Sequence, residues 1–373
     1  MICPFARPNI GGVESHLEKL MAYLSGRGFR VILVTYQPLT TKVRAEPYEK
    51  RDNVEVYRAR WFGNGWFTKL EPYFPLVFLY LFPGLFLKSL AVYLKRGKEV
   101  DTVHAHGFVA AAIARALPGI SRKRRVVSTH AIYGLKRRKL LAALVRRLLD
   151  GFDTILAVGE PSRRELVDIG LGDGRIKVHP NWIDTDTFRV LDRAECRKTL
   201  KLDPGEFVVL FLGRLMEMKG VKILLEAANG TDREIRFLFV GDGPMAGAVK
   251  EAAGANPRIS YYGRLADDAI IRAYNAADVF VSPVLYEEGF ATVYLESLAC
   301  GTPVITARRG CLPYFLSAEV ADLLDEVDAV KLRKLLEFYF DNRDVLEKKR
   351  PFCRGFAEEN FGEKNAEIIA NSY

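Results

Sequence analysis

Two carboxylates, Glu288 and Glu296, stand with seven residues between them in the run Tyr286-Glu-Glu-Gly-Phe-Ala-Thr-Val-Tyr-Leu-Glu296. Carboxylates accept hydroxyl hydrogens well, so a pair at this spacing suits a ligand rich in hydroxyls. The run follows Asp278-Val-Phe-Val-Ser-Pro283, a short apolar stretch ending in proline. It leads into Leu295-Glu-Ser-Leu-Ala-Cys-Gly301, whose small residues and terminal glycine close a helix. Gly289 to Val293 are expected to open that helix. A helix start offers unpaired N–H groups and a partial positive charge, which suits a phosphate or a ring of hydroxyls. The two glutamates would flank such a ligand from opposite ends of one helical turn region. These features together imply a sugar-nucleotide site.

The elements that must hold this run in place repeat along the chain. Apolar runs at Val31–Tyr36, Thr102–His106, Arg125–Thr129, Thr154–Gly159 and Ile176–Pro180 read as buried strands of an open parallel sheet, separated by helical segments. The first helix carries Val13, Leu17, Leu20, Met21 and Leu24 at helical spacing, follows Gly11-Gly12 directly and ends at Gly26 and Gly28. A second alternation comprises Phe207–Leu212, Ile235–Val240, Ile259–Tyr262, Val279–Ser282 and Val304–Thr306, another α/β domain of the same kind. Between them lies the turn-rich His179-Pro-Asn-Trp-Ile-Asp-Thr-Asp-Thr-Phe188, suited to a hinge. In open sheets ligands sit beyond the carboxyl ends of strands. His106, His130, Gly213-Arg214 and Gly241-Asp-Gly243 all close such strands, and Gly11-Gly12 belongs to the same rim of the first domain.

A chain of 373 residues, 49% hydrophobic and 27% charged, can bury two domain-sized cores and is not a disordered protein. Cys3, Cys196, Cys300, Cys311 and Cys353 form no C-x-x-C pair and no zinc spacing, so they read as reduced, mostly buried thiols. The five histidines form no H-E-x-x-H pattern. No metal or other cofactor is expected. The apolar start is interrupted by Pro4, Arg7 and Pro8, so no cleavable signal is visible and a cytoplasmic location is expected.

The formal charge of +9 is clustered in the first half, in Ser121-Arg-Lys-Arg-Arg125, Lys136-Arg-Arg-Lys139 and Arg146-Arg147. A solvated face and an anionic membrane surface both account for it. The second reading places Leu140, Leu141, Leu144, Leu148 and Leu149 on one side of a basic helix. Nucleic-acid binding would rest on charge alone, without an aromatic-basic module, and is not expected. Pro72 to Leu87 is uncharged, but Pro75, Pro83 and Gly84 interrupt it and it is shorter than the ~20 residues that span a bilayer. It reads as interfacial contact, a buried hydrophobic hairpin or a plain core segment.

Eight motifs in register resemble the family 4 retaining glycosyltransferases of the GT-B fold, the group 1 transferases that include glycogen synthases and phosphatidylinositol mannosyltransferases. They are Gly11-Gly-Val-Glu14, His104-Ala-His-Gly107, Ser128-Thr-His130, Pro180-Asn-Trp-Ile-Asp184, Gly213-Arg-Leu215 with Lys219-Gly220, Gly241-Asp-Gly-Pro244, Gly263-Arg-Leu265 and the Glu288-to-Glu296 segment. The resemblance implies an α/β chain of two facing Rossmann-like, doubly wound parallel-sheet domains with an interdomain cleft. Residues 1–186 would bind the acceptor, with a C-terminal helix, 357–373, packing back on them, and residues 187–356 would bind the nucleotide sugar.

By the same resemblance Arg214 and Lys219 bind the donor diphosphate, two fixed cations that offset charge on the departing nucleoside diphosphate without a metal. Glu296 would accept the ribose hydroxyls. Glu288, Gly289 and the N–H groups of Phe290, Ala291 and Thr292 would hold the donor sugar, Gly263, Arg264 and Leu265 would pass the nucleobase, and Gly11 and Gly12 would line the donor from the first domain. His130 is placed nearest the reacting sugar, with His106 on the acceptor side. Asp184-Thr-Asp186 spells D-x-D but matches the hinge motif, so its expected role is structural. Retention normally invites a carboxylate nucleophile. None is placed for it, and the resemblance implies front-face transfer by positioning and electrostatics.

The implied partners are a nucleotide sugar and a hydroxyl acceptor, a glycolipid or polyprenol-linked glycan met at the cytoplasmic membrane face. Trp61, Phe62, Trp66 and Phe67 fit the lipid-linked alternative. A soluble small acceptor and a non-catalytic sugar-nucleotide-binding subunit are the other readings. The chain departs from the family pattern at Ala291, where glycine is usual, at Trp182, at Tyr314, and in a first strand reduced to Met1–Pro4. That start leaves two alternatives: a coding start farther upstream, or an unusually short strand.

Overall fold

The computed structural model describes residues 1–9, 11–41, 43–63, 65–70 and 73–373. The chain divides into two compact units, Met1–Pro180 with Asn365–Tyr373, and Asn181–Lys364. The division falls after Pro180 rather than after residue 186, because Asn181 and Ile183 bond within the second unit, to Phe290 and Phe361. The segment that returns to the first unit begins at Asn365 rather than 357, since the helix Arg343–Phe361 packs with Thr292–Ala299 of the second unit. Tyr373 and Ser372 fasten the returning segment through His104 and Arg124.

In the first unit the strand order is Tyr48–Arg51, Val54–Ala59, Val31–Tyr36, then Ile2, then Thr102–His106, Arg124–Thr129, Thr154–Ala157 and Ile176–Val178. The residues before Pro4 do complete a strand position. Ile2 bridges in parallel to Val34 and Ala105, its N–H donating to the His104 carbonyl and its carbonyl accepting from the His106 N–H, both at 2.9 Å. The inner strands are buried on both faces, which explains their unbroken apolar runs. The sheet is not wholly parallel. Tyr48–Arg51 runs antiparallel to Val54–Ala59 across an Asp52-Asn53 turn with Asp52 at φ 46°, and this pair escaped the reading of buried runs because its outer strand is charged and largely exposed.

The stretch Pro75–Leu87 forms no hairpin. It lies in one helix, Phe74–Arg96, with Pro83 inside; Pro72, where the apolar stretch opens in the sequence, is outside the described residues. A proline there opens the hydrogen-bond ladder. The Tyr36 hydroxyl fills the gap, donating to the Leu81 carbonyl and accepting from the Leu85 N–H, each at 2.7 Å. The Trp61 indole takes the Tyr80 carbonyl at 2.9 Å, and its ring lies where a Cβ on Gly84 would stand. Among the described residues this helix is long and apolar enough to cross a membrane by length and composition. Tyr80, Leu81, Leu85 and Ser89 are nonetheless buried, while Leu76, Leu79, Leu87 and Leu94 are exposed.

The basic helix Lys139–Leu149 also divides its leucines. Leu149 is buried and Leu141 and Leu148 pack on the core, whereas Leu140 and Leu144 are exposed, so the five do not share one face. Of the aromatic set, Trp61 and Phe67 pack on the core and Phe62 and Trp66 are exposed.

The second unit has a six-stranded sheet in the order Ile259–Gly263, Ile235–Val240, Phe207–Leu212, Val279–Ser282, Val304–Ala307, Ala321–Leu324, with every pair parallel. The order reverses between Phe207–Leu212 and Val279–Ser282. That reversal marks the switch point beyond whose carboxyl edge ligands bind in such sheets. Phe207, Phe211, Phe237 and Phe239 fill the core beneath it.

Candidate functional site

Three loops leave the carboxyl ends of adjacent strands of the second unit and are tied by backbone bonds. Gly213 N–H donates to Val240, Leu215 N–H to Asp242, and Gly241 N–H to Gly263, at 3.0, 2.9 and 2.7 Å. A Cβ on Gly241 would stand 1.9 Å from the Gly213 carbonyl oxygen, so glycine is required there by space as well as by its φ of 135°. Arg214, on the first of these loops, is exposed. Arg264 pairs with Asp242 at 3.2 Å, with Leu265 half-buried beside it.

Downstream of Arg214 the chain turns at Gly220, whose missing side chain lets it lie against the Pro283 carbonyl, and the Leu285 N–H donates to Met218 at 2.9 Å. These contacts set Lys219 over the loop after Val279–Ser282. Its ammonium donates to Glu288 Oε2 at 2.5 Å and lies 5.0 Å from the centre of the Tyr286 ring; the Tyr286 hydroxyl donates to the same oxygen at 2.5 Å. Glu288 is only 7% exposed. A carboxylate at that depth has lost most of its hydration, and the two donors offset that loss. Burial and the neighbouring Glu288 both raise the Tyr286 phenol, which remains a hydrogen-bond donor.

The backbone beneath Glu288 is clamped. Cys311 N–H donates to the Glu288 carbonyl at 2.9 Å and Gly310 N–H to Glu287 Oε2 at 2.6 Å. Gly310 is left-handed, φ 59°, and a Cβ there would stand 2.2 Å from the Glu288 carbonyl oxygen. Gly310→Ala is therefore expected to lower stability by at least the ~1–2 kcal/mol of a left-handed residue and to displace Glu288. Thermal unfolding together with titration of a nucleotide sugar would check both effects.

The helix after this loop is Thr292–Ala299, with Ala291 as N-cap. Glu288 thus lies outside it and Glu296 within, not at two ends of one turn. Ala291 adopts φ −76° and ψ 143°, ordinary extended backbone, so the methyl group in place of the family's glycine is accommodated without strain. The Asn181 amide donates to the Phe290 carbonyl at 2.6 Å, and the Phe290 ring is packed by Phe315 and Phe361. Glu296 accepts from the Tyr274 hydroxyl at 3.1 Å. Trp182 is buried and Tyr314 is exposed. The Asp184 carboxylate accepts from Asp186 N–H and Thr187 N–H and from the Thr187 hydroxyl, so D-x-D builds its own turn. Among the described residues no group of three or more His, Cys, Asp or Glu could hold a metal ion, and all five cysteines are buried and outside any disulfide.

Gly11, Gly12, His106 and His130 belong to the first unit. Gly11 is extended, and a Cβ there would stand 2.3 Å from the buried Glu14 carboxylate, which would have to shift. All five histidines of the chain gather there. His106 Nδ1 lies 3.2 Å from His130 Nε2 with the rings stacked, so the two share one hydrogen. His16 faces His106, His130 and His179, and His104 contacts His106. His104 is held by Tyr373 and Ser128. Burial pushes His130 down to about 4 and His179, with His130 adding, down to about 3. At neutral pH His130 is thus an uncharged imidazole, a hydrogen-bonding group rather than a fixed charge.

The structure brings Lys219 and Glu288 into contact and joins the Gly213, Gly241 and Gly263 turns. Sequence reasoning gave no role in the site to Tyr286, Gly310, His16 or His179, although Tyr286 opens the motif run and His179 opens the hinge stretch.

Two Rossmann-like units, the second with a cation, a carboxylate and a helix start at its switch point, give the chain the GT-B architecture. Sucrose-phosphate synthase from Thermosynechococcus elongatus has the same fold, with a TM-score of 0.80 at 19% identity over 97% of this chain and 92% of that one. Residues 10–187 match the model of Glycosyltransferase Family 4 and residues 206–336 that of Glycosyl transferases group 1. The chain belongs to this family 4, group 1 class of glycosyltransferases. D-inositol 3-phosphate glycosyltransferase of Mycobacterium sp. (strain KMS) is 28% identical over 339 residues, 83% of this chain and 74% of the relative. The GPI3 subunit of phosphatidylinositol N-acetylglucosaminyltransferase from Saccharomyces cerevisiae (strain YJM789) is 24% identical over 336 residues, 86% and 70% of the two chains.

Proposed function

We propose that the protein moves a hexose from a nucleoside-diphosphate sugar to a hydroxyl acceptor, with retention and without a metal ion. The observation that carries this reading is the convergence of Lys219 and Glu288 beside the start of Thr292–Ala299. Lys219 and Arg214 offset charge growing on the leaving diphosphate. Glu288 and the N–H groups of Phe290, Ala291 and Thr292 hold the sugar, Glu296 takes the ribose hydroxyls, and Gly263–Leu265 pass the base. Gly11 and Gly12 supply backbone toward the donor, and neutral His130, oriented by His106, hydrogen-bonds the sugar on the acceptor side. The acceptor hydroxyl enters on the face the diphosphate leaves. The new glycosidic C–O bond forms as the sugar–phosphate C–O bond breaks, and the hydroxyl proton passes to a donor phosphate oxygen.

A lipid-linked acceptor, met peripherally at the cytoplasmic membrane face, is supported by the exposed Leu76, Leu79, Leu87 and Leu94, by the basic helix with Leu140 and Leu144, and by the phosphatidylinositol-named yeast relative. A soluble phosphorylated polyol is the second reading, favoured by the mycobacterial relative's name.

A thermal-shift panel of UDP-, GDP- and ADP-sugars is expected to raise the melting temperature by several degrees with one base, an effect lost in Lys219→Ala. No shift with any of them would overturn the donor-site reading, and a shift without turnover would favour the non-catalytic sugar-nucleotide-binding subunit. Transfer in the presence of a chelator, NMR of the product anomer, and sedimentation with anionic vesicles at varied salt test the metal, the stereochemistry and the membrane.

A further inference from the structure

Lys219 and Tyr286 both donate to one oxygen of Glu288, Oε2, at 2.5 Å. The Tyr286 ring lies 5.0 Å from the Lys219 ammonium, within cation–π range. If Lys219 were the only donor, a diphosphate that drew the ammonium toward itself would leave the buried Glu288 carboxylate unpaired, a costly state. The loop around Tyr286 is anchored on both sides, through Leu285 to Met218 and through Glu288 to Cys311, so its hydroxyl stays in place when Lys219 moves. We infer that Tyr286 is a positioning residue of the donor site: its hydroxyl keeps Glu288 oriented toward the sugar and its ring carries Lys219 between Glu288 and the diphosphate. This rests on the donor-site reading proposed above. With both donors on Oε2, Oε1 is the oxygen a sugar hydroxyl reaches without displacing either.

The test is calorimetric titration of the full chain with the nucleoside diphosphate alone and with the intact nucleotide sugar. Tyr286→Phe keeps the ring, is a half-buried site and deletes a single oxygen. It is expected to leave diphosphate affinity unchanged and to weaken the nucleotide sugar roughly tenfold, the scale of one hydrogen bond to a charged group. Tyr286→Leu, which also removes the ring, is expected to weaken the diphosphate as well. On a Glu288→Gln background, Tyr286→Phe should weaken the nucleotide sugar by much less than tenfold, because the carboxylate it orients is gone. A merely structural tyrosine would instead lower the melting temperature and weaken both ligands alike. Tyr286→Phe that keeps the wild-type ratio of sugar to diphosphate affinity overturns the inference. Wild-type protein that binds neither ligand is a different result: it removes the donor-site reading, and this inference with it.

Discussion

Lys219→Ala is expected to lower kcat/KM by roughly two to three orders of magnitude, the scale of losing one fixed donor to developing negative charge. The loss should fall on kcat as well as on donor affinity, because charge on the diphosphate is larger in the transition state than in the bound donor. Folding should survive. The turn that carries Lys219 is closed by backbone bonds from Lys219 to Met216 and from Gly220 to Glu217, which alanine keeps, and Glu288 retains the Tyr286 hydroxyl. Steady-state kinetics beside thermal unfolding separate the two effects. A variant with normal kcat and raised KM would reduce Lys219 to uniform binding, and a fully active variant would remove it from the site.

Acid should unfold the first unit earlier than a domain without buried histidines. His130 and His179 ordinarily titrate at 6.5, and burial holds them down to about 4 and about 3. His104 and His106 are held well below the same value. Above pH 6.5 the folded and unfolded chains carry these imidazoles alike, neutral, and stability is independent of them. Below 6.5 the unfolded chain takes up protons that the folded chain refuses, so stability falls with pH until the folded values are reached. At about 1.4 kcal/mol for each unit of separation, two such groups amount to several kcal/mol between pH 6.5 and about 4, comparable with the whole stability of many domains. His179 offers the sharper probe, since neither of its ring nitrogens meets a protein partner among the described residues. His179→Leu is expected to lower the midpoint of acid unfolding by roughly half a pH unit or more. An unchanged midpoint would show that His179 does not contribute to the acid limb.

Most of the sheet was legible because both units are built on strands buried on two faces, and such strands must read as continuous apolar runs. Val31–Tyr36, Phe207–Leu212, Ile235–Val240 and Val279–Ser282 carry the same limits in sequence and structure. The hairpin Tyr48–Ala59 was not legible, because an edge strand exposed to solvent carries Glu49, Lys50 and Arg51 and loses that signature. Pro83 and Gly84 look like breakers only while the chain is read one segment at a time. The Tyr36 hydroxyl and the Trp61 indole, distant in sequence, repair the ladder they open.

Within the candidate site, the residue types and their order came from the chain alone: a glutamate before a glycine turn, a lysine before Gly220, histidines at strand ends. Those local patterns determined the two Rossmann-like units and carried the resemblance to family 4 glycosyltransferases that the family matches bear out. What only the tertiary structure decided is which groups share a partner. Lys219, Tyr286 and Glu288 meet on one carboxylate oxygen, and five histidines press together in one core. Strand periodicity and glycine turns are properties of neighbours along the chain, whereas a shared oxygen and a depressed imidazole depend on packing between residues far apart in sequence, and no local spacing encodes that.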